Sequence, residues 1–157
     1  YWALIPFALM FGHLFFIRNQ LPVKILPLLL LGCIGVIFDS IFNYIGIYHF
    51  SVTTPSIPYL NIPVWLVCLW LGFCFTLPLS LAWHLKKAYF FVFACSLLGP
   101  ISYLAGRRLE ALNFSDANLW FLVFEWCIFS IVALVVLLPS LGVSLKSSIS
   151  FKKQSTC

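Results

Sequence analysis

Long apolar runs, separated by short polar interruptions, set the rhythm of this chain. Apolar residues dominate positions 2–17, 23–47, 62–83, 88–106 and 119–141. Each run comes close to the roughly 20 residues that a helix needs to cross a bilayer core. Pro22, Pro55, Pro58, Pro63 and Pro139 stand at the edges of the runs, where a missing backbone N–H costs least. Pro78 and Pro100 fall inside runs and are expected to kink their helices. The pattern predicts an all-α fold, a polytopic transmembrane helical bundle with five spans in a single domain. Residues 143–157 read as a basic, solvated tail. No internal repeat is read from the pattern.

Composition agrees with a lipid solvent. Hydrophobic residues make up 63% of the chain and charged residues 8%, and the mean hydropathy is +1.08. A soluble domain carries about 25% charged residues, so water could not be the medium for this surface. The net charge of +5 does not point to nucleic acid. The cations fall mostly in short connections, and no basic stripe tracks a groove, so no nucleic-acid partner is expected. Five of the six cysteines lie inside apolar runs without a CxxC pair, and they read as small buried hydrophobes. His13, His49 and His84 are scattered without ligand spacing, so no metal or other cofactor is expected. The chain opens on Tyr1 and Trp2 without Met, and an earlier span is expected ahead of them.

The loop charges predict an orientation. Arg18 and Lys24 flank the first connection, Lys86 and Lys87 lie in the third, and Lys146, Lys152 and Lys153 lie in the tail. The second connection, 48–61, has neither Lys nor Arg. By the positive-inside rule, the first and third connections and the C-terminus are cytoplasmic. Arg107 and Arg108 are the exception on the outer side.

That orientation gathers the intramembrane polar residues toward one end. Asp39 and Asn43 share a face of the second run at i, i+4, within a stripe with Gly32, Gly35 and Gly46. Tyr103, Arg107 and Arg108 close the fourth run, and Ser96, Gly99 and Gly106 share its stripe. Glu125 lies about two turns into the fifth run, and Trp65 begins the third. Small and polar stripes face protein in a bilayer, so these faces are expected to meet. The candidate pocket is therefore Asp39, Asn43, Trp65, Tyr103, Arg107, Arg108 and Glu125, with an arginine reaching toward Glu125.

Plainer readings stand beside this one. Asp39 could be a structural group hydrogen-bonded to Asn43. Glu125 and an arginine could merely clamp two helices. The two arginines could hold lipid phosphates. Trp65, Trp70 and Trp83 could be interfacial anchors.

Three stretches in order, IFDSIFNYIGIYHF, IPVWLVCLWLGFCFTLPLSLAW and LLGPISYLAGRRLEAL, resemble an uncharacterised bacterial inner-membrane family, domain of unknown function 2878. The resemblance rests on Asp39, the PxWLxxLWxxF stretch 63–73, the SLxW at 80–83 and the GPxSYxAG at 99–106, and it covers residues 3–138. It implies a small helical bundle, with six spans in the complete protein. It brings no activity with it. Neighbouring genes for cyclopropane-synthase-type enzymes in some members imply a link to envelope lipid metabolism.

No GxSxG, HExxH, P-loop or pair of histidine boxes is present, so the sequence names no reaction. Three functions stay open. One is an accessory or scaffold protein in envelope lipid modification, working with membrane lipids and a membrane-protein partner or a second copy. Another is a small-molecule transporter or its substrate-binding subunit. The third is a membrane enzyme acting on a lipid headgroup, with Asp39 or Glu125 as acid or base.

Overall fold

A computed structural model of the protein describes residue 12 and residues 24–51, 56–84 and 88–139. Four helices dominate it: α1 (Ile25–Tyr44), α2 (Val64–His84), α3 (Ala88–Arg108) and α4 (Leu119–Leu137). Three stretches are long and apolar enough to cross a membrane, namely α1, α3 and Asp116–Leu137, which takes in α4. In α2 the described apolar stretch is Val64–Pro78. The chain is thus a membrane protein with three such helices among the described residues. The expected first span and the basic tail lie outside the described residues.

Strands appear where only connections were expected. Four short strands occupy one end of the bundle: β1 (Tyr48–Phe50), β2 (Ser56–Ile57), β3 (Ile62–Pro63) and β4 (Leu112–Phe114). β1 pairs antiparallel with β4, and β2 with β3. The physical reason is that backbone leaving a helix still needs hydrogen-bond partners: β1 and β4 supply one another's across two loops, and β2 and β3 within one. A 3-10 turn, Asp116–Asn118, leads from β4 into α4, capped by the Ser115 side chain. The all-α expectation holds for the spans and fails for their connections.

The bundle is built from two like halves. At the end of α1, Gly46 adopts φ 79°, the Ile47 N–H returns to the Phe42 carbonyl at 2.9 Å, and the Gly46 N–H to that of Asn43 at 3.2 Å. At the end of α3, Glu110 adopts φ 57°, the Ala111 N–H returns to Gly106 at 3.0 Å, and the Glu110 N–H to Arg107 at 3.1 Å. Both are the same left-handed helix stop. Two residues beyond each stop a strand begins, and the two strands pair with His49 opposite Asn113.

Asp39 and Tyr103 are 64 positions apart, and that same interval relates Gly35 to Gly99, Gly46 to Glu110 and His49 to Asn113. Because equivalent residues face each other at the centre of the β1–β4 pair, an approximate two-fold axis passes between His49 and Asn113. It relates α1–β1–α2 to α3–β4–α4. Within each half the two helices pack closely, α1 on α2 and α3 on α4.

Glycine makes that packing possible. A Cβ on Gly35 would collide with the Trp70 indole, and one on Gly99 with the Trp126 indole. The two indoles then stack on each other between the halves, centroids 5.2 Å apart and planes 16° apart. Phe129 fills the remaining space beside both. The repeat escaped the sequence reading because an apolar span conserves size and facing, not residue identity. Gly35 with Gly99, and Phe50-Ser51 with Phe114-Ser115, are the matches that could have signalled it.

Candidate functional site

Asp39 is the centre of the fold. Its side chain is fully buried, and three donors from three other elements converge on its carboxyl group. The hydroxyls of Tyr48 (β1) and Tyr103 (α3) both donate to Oδ1, and the Trp70 indole N–H (α2) donates to Oδ2. One acidic side chain thereby joins α1, β1, α2 and α3. Each donor is held by ring packing: Tyr48 lies 5.5 Å from Tyr103 and edge-on to Phe50 at 5.4 Å. Burial, then the charges of Asp39 and Glu125, pushes the Tyr48 phenol up from its ordinary pKa. The hydroxyl therefore keeps its proton and remains a donor.

Glu125 of α4 is the second buried acid, 2% exposed, and close enough to Asp39 for the two to interact electrostatically. Its two oxygens have no hydrogen-bond partner among the described residues, and neither has the Trp126 indole nitrogen. The two-fold accounts for the latter. Trp70 finds a carboxyl on α1, but at the place equivalent to Asp39 the other half has Tyr103, whose hydroxyl is already turned to Asp39.

The sequence-predicted residues therefore divide. Asp39, Tyr103 and Glu125 come together in the core. Arg107 does not reach Glu125. It pairs with Asp116 at 2.6 Å, donates to the Phe114 carbonyl at 3.2 Å and lies over the Phe114 ring at 4.7 Å. The reason is local: the helix stop at Glu110 folds β4 and the 3-10 turn back over the end of α3, offering an acid and a carbonyl nearer than Glu125. Arg108 is exposed.

Asn43 also turns elsewhere, donating to the Asn61 carbonyl at 3.1 Å, so it is not the partner of Asp39. Trp65 is half-buried and edge-on to Phe50 at 6.2 Å. Tyr48 and Trp70 were not among the expected site residues. Tyr48 lies in a connection, and Trp70 reads equally well as an interfacial anchor.

Beside this core an apolar groove runs between α2 and α3. It has two sections, of about 390 and 350 Å³, which share Leu69, Ser102 and Trp126. Phe73, Phe91 and Leu98 line the first, and Trp65 and Tyr103 the second. The Ser102 hydroxyl is used within its own helix, donating to the Gly99 carbonyl at 2.6 Å, so it makes no polar demand on the groove. Among the described residues no group of His, Cys, Asp and Glu is arranged to hold a metal ion.

No curated protein and no solved structure matches the chain at a significant level. A family model described as protein of unknown function (DUF2878) does, over residues 1–139. With nearly the whole chain matched, from the apolar run ahead of α1 to the end of α4, this membrane protein belongs to the DUF2878 family.

Proposed function

We propose that the protein binds an acyl chain of a membrane lipid in the groove between α2 and α3, and acts as an accessory protein in lipid modification. The observation that carries this reading is the continuous apolar groove floored by Trp126. Its two sections each fall in the size range of ligand pockets, about 300–1,000 Å³. Their only hydroxyl in common is internally satisfied, so the Ser102 side chain asks no polar partner of a hydrocarbon filling.

The resemblance implies a bacterial inner-membrane location, and the loop charges support an orientation with Lys24 at the cytoplasmic end and the strands at the outer end. An accessory role also fits the core, because Asp39 is wholly engaged in holding helices together and Arg107 is engaged by Asp116. Neither is free to handle a headgroup as an enzyme would require.

The test uses a phospholipid with a photoreactive acyl chain, reconstituted with the protein in vesicles. Adducts should concentrate on Leu69, Leu98 and Ser102, and Ala94→Trp or Ala105→Trp should remove them by filling the groove. Adducts spread evenly over other exposed positions such as Ile37 and Phe124 would end the proposal.

One observation favours a second reading. A buried acid without hydrogen-bond partners among the described residues, beside another, is where a carrier would bind a proton or cation. Uptake that follows a pH gradient and disappears in Glu125→Gln would decide for it.

A further inference from the structure

A second cavity system opens at the strand end, beside the last turns of α1. It has two parts, of about 460 and 370 Å³, which share Asn43, His49 and Asn61. Tyr44, Tyr59 and Ser40 complete the wall of the larger part. Among the described residues no Asp, Glu, Lys or Arg lines either part. The amide and imidazole groups offer donors and acceptors together, while two exposed tyrosine rings stand at the rim.

Two features set this cleft apart from an ordinary loop surface. First, Tyr59 (φ 72°) and Asn61 (φ 50°) both occupy the left-handed region without being glycine, and the Tyr59 ring is fully exposed. No packing of that ring offsets the strain of its backbone. Second, the other half of the molecule treats the equivalent place differently. The residue equivalent to Asn43 is Arg107, 64 positions on like Tyr103 from Asp39, and its guanidinium is bonded to Asp116 and Phe114. In the first half, uncharged side chains line an open cleft instead.

We propose that this cleft binds a neutral, hydroxyl-rich group, a glycosyl unit, with Asn43, His49 and Asn61 hydrogen-bonding its hydroxyls and Tyr44 and Tyr59 covering its C–H faces. A phosphate would find no cation among the lining residues, and an ammonium no carboxylate. A sugar asks for donors and acceptors at once, together with a flat apolar face, and the wall supplies both. The cleft is separate from the acyl groove, so this inference does not depend on that one.

The glycosyl unit can come from a lipid headgroup or from a free saccharide, and the experiment distinguishes them. The full chain in phosphatidylcholine nanodiscs is offered monogalactosyl diacylglycerol in the bilayer, or methyl β-galactoside in solution, with phosphatidylglycerol as the charged control. Binding of the galactolipid alone identifies a headgroup site, and comparable binding of the free glycoside identifies a soluble sugar.

In either case His49→Ala and Asn61→Gly should each weaken binding about tenfold, the loss expected for a hydrogen bond or two. Tyr59→Gly should raise thermal stability, by relieving the backbone, while weakening sugar binding. A purely structural loop would show the first effect without the second. The proposal is overturned if neither sugar probe binds, if phosphatidylglycerol binds more tightly, or if all three variants bind as the parent does.

Discussion

The indole N–H of Trp70 donates to Oδ2 of Asp39 while the same ring covers Gly35, one helical turn before Asp39 on α1. A single side chain of α2 thus reads two features of α1, a missing Cβ and an acid. The first brings the helices close enough for the second to be reached. Helix pairing in lipid rests on such close approach combined with hydrogen bonding, because the surrounding hydrocarbon offers no hydrophobic drive.

Replacing Asp39 by Asn preserves its shape but leaves one acceptor oxygen where three donors converge. At least one donor must then face an NH₂ group, at a cost of about 1–3 kcal/mol. Trp70→Phe removes one of the donors. Unfolding in mixed micelles should show each single variant destabilised, and the double variant less so than the sum, with a coupling above about 0.5 kcal/mol. Additive losses would mean that the two side chains act independently.

The glycines should rank by what their missing Cβ would meet. Gly35→Ala and Gly99→Ala drive a methyl into an indole ring that is itself wedged against the other half, and should cost about 3 kcal/mol or more. Gly106→Ala meets only the end of Leu112, at 3.2 Å, and should cost about 1 kcal/mol or less because that side chain can give way. Equal effects at the three positions, read by the same unfolding assay, would contradict the close packing of both tryptophans.

Glu125→Met should stabilise the protein, on the order of 1 kcal/mol, since it replaces a buried acid without hydrogen-bond partners among the described residues by an apolar chain of similar length. A clamp between Glu125 and an arginine would give the opposite sign. Thermal unfolding of this one variant separates the two arrangements. If stability rises while a transport or lipid-related phenotype is lost, Glu125 is retained for function.

Arg107 and Asp116 should behave unequally although they share an ion pair. Asp116 is 88% exposed, so Asp116→Ala removes a solvent-screened contact and should change stability by less than about 0.5 kcal/mol. Arg107 also holds the Phe114 carbonyl and covers the Phe114 ring. Arg107→Ala should therefore cost more, about 1–2 kcal/mol, and loosen the β1–β4 pair. Amide exchange at Ser51, whose N–H donates to the Ala111 carbonyl at 3.0 Å, checks the second effect.

Much of this molecule could be read before folding. The helix bounds follow the apolar runs within a few residues, and the end of α1 comes early only because Gly46 takes a left-handed turn. Asp39 and Tyr103 were legible as inward-facing because a polar group among apolar neighbours cannot face lipid at low cost. Their partners were less so. Tyr48 lies in what reads as a loop, and Arg107 found Asp116 because a strand and turn fold back over the end of its helix. Asn43 shares the Asp39 stripe in the sequence, yet at the last turn of α1 it meets the β2–β3 connection instead of a helix.

What the sequence determined by itself is the solvent, the helical spans and which side chains must be hidden, because each depends on local composition and a fixed helical period. What the tertiary structure alone decided is which hidden groups touch. It set three donors on Asp39, left the Glu125 carboxyl without a partner among the described residues, and arranged two halves about an axis between His49 and Asn113. Those choices depend on distances between segments far apart in the chain. Such distances are fixed by packing, by an indole seated on a glycine and by two strands closing on each other, and no local pattern encodes them.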